Sequence, residues 1–333
     1  MIPDITRDSQ WDGNGSCVNR QTLNGGWKGM DQNLKNELTL RYRAAADSFV
    51  EKIKKDVNVV AVIIGGSLAY DQVWEKSDID ATIIVRDQVL KNDSFCVVED
   101  DITINLYVCT RSSFKRFLES LGGGSFLHSF YAKGNIVYST EESLYEYFEE
   151  FKRFGKDDLE ENVFFLACEL VNYYEKCLKW LKVKEDPLYA QYYLLKAAES
   201  ISRIEICLAG EIPTREAIVK ASFINPELMS IYYTNAMSHH YSIPEIFAAI
   251  EKMNQYMEQH LDIIKKPIVK YMSDGEMKTV TMITKYFKTD GHMIIGILEY
   301  LADKGVIVKV SQTIKVTPKS KLAVEEIAYQ YIG

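Results

Sequence analysis

Val59-Val60-Ala61-Val62-Ile63-Ile64 runs straight into Gly65-Gly66-Ser67, and ten residues later the chain continues as Asp78-Ile79-Asp80-Ala81-Thr82-Ile83-Ile84-Val85. The first run is rich in β-branched side chains without alternation, the pattern of a strand buried on both faces. Its Gly-Gly-Ser ending predicts a strand-to-helix turn whose backbone N–H groups are not covered by side chains. Such groups can approach phosphate oxygens at the positive end of the following helix. The second run opens with two aspartates two positions apart. Because side chains alternate along a strand, both carboxylates fall on one face, about 6.6–6.8 Å apart along it. Like charges held that way repel unless a cation lies between them, and hard carboxylate oxygens suit Mg²⁺. Tyr70, Asp71 and Ser77 fit the connection between turn and strand.

Working outward, Ile102 to Val108 predicts a further strand, with Ile102, Ile104, Leu106 and Val108 on one face and Thr103, Asn105 and Tyr107 on the other. A helix capped by Ser112 runs to Leu121, and Asn135 to Tyr138 adds a short strand. On the N-terminal side Leu34, Leu38, Tyr42, Ala45, Phe49 and Ile53 recur at helical spacing. Met30 directly precedes that helix, so the compact fold is expected to begin near it. Residues 1–29 are polar and glycine-rich, the composition of a loose arm. Strands mixed with helices over about a hundred residues indicate an α/β unit.

From about Leu144 the spacing is helical throughout. Val163, Leu166, Leu170, Tyr174, Cys177 and Leu181 form one stripe. Leu194, Ala198, Ile201, Ile204 and Leu208 form another, stopped by Gly210 and Pro213, and Ile246 to Leu261 forms a third. The last sixty or so residues change rhythm. Helices over 281–287 and 293–301 precede strands at Val306–Val310 and Ile314–Val316, and Ser320 to Tyr331 reads as helix again. Helix, helix and ribbon suggest a winged-helix-like unit. The expected organisation is therefore an arm over 1–29, a mixed-sheet unit over 30–142, a helical domain over 143–270 and a winged-helix-like domain over 271–333. The fold class is α+β.

Composition narrows the function. The 333 residues are 47% hydrophobic and 26% charged, with a net charge of −8, which disfavours non-specific nucleic-acid binding by the whole molecule. Six cysteines are scattered with no C-x-x-C pair and read as free thiols of a cytoplasmic protein. The adjacent His239 and His240 have no further ligand at zinc spacing. Apolar runs such as Val59 to Ile64 fall far short of the roughly 20 residues of a membrane helix, so no membrane association is expected. No P-loop pattern occurs, and no G-x-G-x-x-G follows a strand.

Gly66-Ser67 followed by Asp78-Ile79-Asp80 between apolar strands resembles the signature of the nucleotidyltransferase superfamily that includes DNA polymerase β and the antibiotic nucleotidyltransferases. The resemblance covers about residues 35–140. Phe126-Leu127-His128-Ser129-Phe130 followed by Gly134 to Tyr138 also looks like the end of a minimal domain of that kind. It implies that Gly65, Gly66 and Ser67 hold the triphosphate of an NTP, that Asp78 and Asp80 coordinate Mg²⁺ and carry catalysis, and that pyrophosphate leaves. The family usually places a third carboxylate on the next strand, where this chain has Thr103 and Asn105. Asp101 just before that strand is one substitute. Glu199 or Glu205 of the Leu194–Leu208 helix is another, although Lys196, Glu199 and Arg203 at helical spacing also read as a solvated face. The expected reaction is transfer of NMP to a hydroxyl of a small molecule, with a cationic acceptor such as an aminoglycoside in keeping with the acidic composition. The alternative is a catalytically weakened nucleotide-binding regulator. Its C-terminal lysines Lys304, Lys309, Lys315, Lys319 and Lys321 would touch nucleic acid, or that segment would serve packing or homodimerisation.

Overall fold

The computed structural model describes residues 32–120, 130, 131, 133–152, 156–317, 319 and 321–333. The expected arm over 1–29 and the stretch Phe126-Leu127-His128-Ser129 lie outside the described residues.

Helix α1 (Gln32–Ile53) buries Tyr42, Ala45, Ala46, Phe49 and Val50, a stripe at three- and four-residue spacing. That stripe packs on a five-stranded sheet of β1 (Val59–Gly65), β2 (Ile79–Val85), β3 (Ser94–Glu99), β4 (Ile102–Thr110) and β5 (Asn135–Ser139). The strand order is β3-β4-β2-β1-β5. Only β2 and β4 run parallel; the other neighbours are antiparallel. Every residue of β1 is buried, as its unalternating apolar run predicts. Ile79, Ala81, Ile83, Ile104 and Leu106 face α1. On the opposite face Ile63, Ile84 and Cys109 meet Phe114 and Leu118 of α3 (Arg111–Ser120), Tyr131, and Leu144 and Phe148 of α4 (Glu142–Lys152). A one-turn helix α2 (Gly66–Ala69) follows β1.

Strand β3 was not among the sequence expectations. It is an edge strand with Phe95 and Val98 exposed, so its apolar residues do not mark a buried face. Its hairpin to β4 turns on Asp100 and Asp101, both at positive φ, where Asn-Gly is the usual signal.

The helical segment contains α5 (Lys156–Lys182), α6 (Pro187–Leu208), α7 (Ala217–Ile224) and α8 (Ile243–Gln259), with shorter helical pieces between and after them. Asp186 caps α6 by accepting the Tyr189 N–H, and Pro187 starts its first turn. The C-terminal segment runs β6 (Lys278–Thr279), α9 (Val280–Phe287), α10 (Gly291–Asp303), β7 (Val308–Ile314) and β8 (Val324–Gln330), with its sheet in the order β6-β8-β7. Two expectations fail here. Residues 311–313 do not break the ribbon, since Gln312 sits within β7 paired with Glu326. The helix expected over 320–331 is strand β8. Val324, Ile327, Ala328 and Tyr331 imitate a helical stripe, but β8 is the central strand and gains ladder hydrogen bonds on both sides. One apolar core runs from Val163 through Ile201 and Met253 to Ile297 and Tyr329, so the helical and C-terminal segments share it. Among the described residues no helix is long and apolar enough to cross a membrane.

Candidate functional site

Three adjacent strands align one residue each. Gly65 of β1 pairs with Asp80 of β2, and Asp80 pairs with Asn105 of β4. At about 4.8 Å between strands this row places the start of the glycine turn, a carboxylate and an amide side by side. Gly66 has φ +65, and a Cβ built there would overlap the Asp80 carboxylate. Glycine therefore meets two demands at once, left-handed backbone and close approach of an acid. A Cβ on Gly65 would likewise overlap the ring of Phe130. The helix after the turn is only four residues long, so the dipole contribution expected from the sequence is negligible, and any affinity for phosphate rests on the backbone N–H groups of the turn itself.

Asp78 is delivered by a fastened segment. The Tyr42 hydroxyl donates to the Ser77 carbonyl at 2.8 Å, and the Trp74 N–H donates to Ser77 Oγ at 3.1 Å. Arg43 pairs with Asp71 at 2.6 Å and closes the turn from α1. Asn105 Nδ2 donates to Asp78 Oδ2 at 2.5 Å, while Asn105 Oδ1 accepts the Cys96 thiol at 3.0 Å. The amide thus presents its donor side to the acid pair. Burial first, and the Asp78 charge second, push the Asp80 carboxyl above the usual carboxylate range; Asn105 and Arg215 act in the opposite direction. Two acids and the Gly66 turn are therefore brought together. They are the residues with the hard-oxygen chemistry to hold a divalent cation.

No third acid joins them: among the described residues there is no group of three His, Cys, Asp or Glu side chains able to hold a metal. Asp101 is exposed at the β3–β4 turn, four positions before Asn105, roughly 13 Å away along the strand. Glu199 pairs with Arg203 at 2.5 Å on the outer face of α6, the solvated-face arrangement. Glu205 is buried and accepts the Tyr256 hydroxyl at 2.7 Å and Asn225 Nδ2 at 3.1 Å, a structural role within the helical core. None of the three lines the cavity beside Asp80. Asn105 is in place but as a neutral donor.

That cavity has a volume of about 500 Å³. It exists because α3, α4 and Tyr131 cover the Ile84–Cys109 end of the sheet face and stop short of Asp80 and Asn105. Tyr107, Phe117, Phe130 and Tyr131 form its walls, and Arg215, from the connection between α6 and α7, reaches it from the helical segment. Burial pushes the Tyr131 phenol up to about 12, and its oxygen lies 3.0 Å from Thr82 Oγ1. Lys133 was also missed in the sequence. The pairing of Ile64 with Asn135 sets it near the Gly66 turn, with its ammonium 5.1 Å from the Tyr70 ring. Burial, then the nearby Lys220 charge, lowers its pKa. Neither Arg215 nor Lys133 belongs to a periodic pattern or motif, so only the folded chain reveals them. A larger recess of about 670 Å³ on the helical segment holds, among the described residues, a single carboxylate, Asp186, which is spent capping α6.

No family model matches the chain, and no curated protein matches it in sequence. Among solved structures it is similar to the crystal structure of a nucleotidyltransferase-like protein from Exiguobacterium sibiricum, with a TM-score of 0.62 and 13% sequence identity. The likeness covers 87% of this chain and 99% of that chain. At that identity what is shared is the fold: this chain has the α+β fold of a nucleotidyltransferase-like protein.

Proposed function

We propose that the chain is a Mg²⁺-dependent nucleotidyltransferase that moves NMP from an NTP to a hydroxyl of a small molecule, releasing pyrophosphate. The observation that carries this reading is the convergence of Asp78 and Asp80 beside the left-handed Gly66 turn, at the mouth of an open cavity. In the reaction the acceptor oxygen forms a bond to the α-phosphorus, the bond from that phosphorus to the bridging oxygen breaks, and the hydroxyl proton passes to solvent. Asp78 and Asp80 offer the hard oxygen donors that would hold one Mg²⁺. When bound, that ion supplies neutralisation of the phosphate charge. Gly65, Gly66 and Ser67 cradle the phosphates, and Lys133 and Arg215 bring positive charge to either side of them. The proposal places the protein in the cytoplasm, supported by five described cysteines that are all free, four of them buried.

The test is transfer of label from each α-labelled NTP, with Mg²⁺, to a panel of hydroxyl acceptors. Asp78→Asn and Asp80→Asn should each lower product at least about a hundredfold, the loss that several kcal/mol of charge stabilisation implies. Absence of product with every pair, or product unchanged in both variants, sinks the reading.

The second reading, a nucleotide-binding regulator, is favoured by one observation: Asn105 donates a hydrogen bond where a third acid is wanted. Its nucleic-acid arm has less support. Only His292 and Asp303 of the thirteen residues of α10 are exposed, so that helix cannot enter a groove. Lys304 and Lys309 are already paired with Glu258 and Glu299. Nucleotide binding without turnover, together with DNA binding that weakens steeply with salt, would favour the regulator.

A further inference from the structure

The phosphate cradle lies at the end of β1, Asp80 lies on β2 with Asp78 just before it, and the cavity extends from β2 over β4 to Ser94 of β3, so cradle, acid pair and the far end of the cavity follow one another across the sheet. In-line displacement puts the attacking oxygen on the side of the α-phosphorus opposite the departing pyrophosphate. With the leaving group over Gly66, the opposite side is the cavity bounded by Tyr107 and Ser94.

Its chemistry is specific. Among the described residues four aromatic side chains, Tyr107, Phe117, Phe130 and Tyr131, form the walls, with edge-on contacts of Tyr131 to Phe117 and Phe130 at 5.6 and 5.2 Å between ring centroids. Among the described residues, Asp80 and Arg215 are the charged ones lining it, one of each sign. A polycationic acceptor would need several carboxylates to offset the loss of its hydration, and the lining offers one, already assigned to the cation. Flat rings, in contrast, match the walls, and the Arg215 guanidinium suits one carboxylate or carbonyl group.

We propose that this cavity is the acceptor pocket and that it takes a hydroxyl-bearing aromatic compound, neutral or singly anionic, rather than an aminoglycoside-like polycation. Its assignment to the acceptor rests on the transfer reading; its preference for aromatic ligands does not. The experiment is therefore done without nucleotide, on the full chain, by ligand-observed NMR. The probes are 4-(hydroxymethyl)benzoate, its saturated analogue trans-4-(hydroxymethyl)cyclohexanecarboxylate, adenosine and kanamycin. The expected result is saturable millimolar binding of the benzoate, weakened about fivefold or more by loss of the ring in the analogue or by Tyr107→Leu. Arg215→Gln should weaken the benzoate and leave its neutral counterpart, 1,4-benzenedimethanol, unchanged. Both sites are partly exposed, so the fold is expected to survive, and unchanged melting of each variant checks that.

No saturable binding of the benzoate, binding indifferent to Tyr107→Leu, or displacement by kanamycin would overturn the proposal. Tighter binding of adenosine in the same cavity would also overturn it, assigning the cavity to the nucleobase. Calorimetry with NTP and Mg²⁺ separates the two levels. Aromatic probes bound without nucleotide binding would remove the transfer reading and with it the acceptor assignment, leaving the aromatic preference; nucleotide transfer without aromatic binding would remove that preference alone.

Discussion

Gly66 and Asp80 are legible as neighbours in the sequence only by inference, because fourteen positions separate them; the structure makes the link steric. A Gly66→Ala substitution must adopt the left-handed region at a cost of about 1–2 kcal/mol and must also move the Asp80 carboxylate. It should lower the melting temperature and weaken NTP affinity about tenfold or more, by differential scanning and titration calorimetry; a variant equal to wild type in both would show that the turn is not a cradle. Asn105 is the complementary case. The alternating pattern of β4 placed it on the acid face, yet nothing in the sequence tells that its amide turns a donor toward Asp78 and its oxygen toward Cys96. Asn105→Asp removes that donor and sets a third negative charge beside two others. Without Mg²⁺ the variant should melt below wild type. With Mg²⁺ it should gain more than wild type, since a ligand bound only by the folded state stabilises it in proportion to its affinity, about 2.7 kcal/mol at a hundred times Kd. Equal Mg²⁺-induced shifts in both proteins would show that position 105 does not reach the ion.

At the scale of elements, the strands that position the site were readable because β1, β2 and β4 are internal and most of their aliphatic residues are buried. β3 and β8 were not, for opposite reasons. An edge strand exposes what it should bury, and a central strand in a small sheet takes residues whose spacing also suits a helix. The β3–β4 turn gives a direct test of where the site ends. Asp101 has φ +61 and no part in the acid pair, so Asp101→Gly should leave nucleotide binding unchanged. It should also relieve left-handed strain, a net gain of about 0.5–1 kcal/mol in urea unfolding. A loss of nucleotide affinity would return Asp101 to the candidate ligands. The same hairpin is tied to α1 through Glu99, which accepts Lys52 Nζ at 2.6 Å and Ser48 Oγ at 2.5 Å. The Lys52 hydrogen bond, then that of Ser48, holds the Glu99 carboxyl below the usual range. A carboxyl lowered on folding stabilises the folded state above its unfolded pKa of about 4.3, and that stability is lost as pH falls through the folded value. Wild type should therefore lose stability between about pH 5 and the folded pKa more steeply than Glu99→Gln, measured by urea midpoints across that window. Parallel curves would mean that the tie contributes nothing.

Across the whole molecule, the expected change from sheet to helix near residue 143 is visible in the sequence, because hydrophobic period changes there, but which segments share a core is not. Period describes one element; a shared core depends on which faces meet. Helix α4 packs on the sheet through Leu144 and Phe148, whereas α10 packs into the helical core through Ile294, Ile297, Leu298 and Leu301. Gly296 lets α10 approach α5 closely, since a Cβ there would stand 3.3 Å from Val171 and Asn172. Those four apolar side chains, at about 1.5–3 kcal/mol each, represent roughly 6–12 kcal/mol, comparable with the whole stability of a domain. A chain ending at Ser273 should therefore not leave a folded helical segment behind. It should lose the cooperative melting of that core, expose apolar surface to a hydrophobic dye and aggregate, while the sheet core, which contains no described residue beyond Phe151, keeps its own transition. A shortened chain whose helical segment still melts cooperatively would show that the C-terminal strands and helices are an appendage rather than part of that core, and would reopen them as a separate binding module.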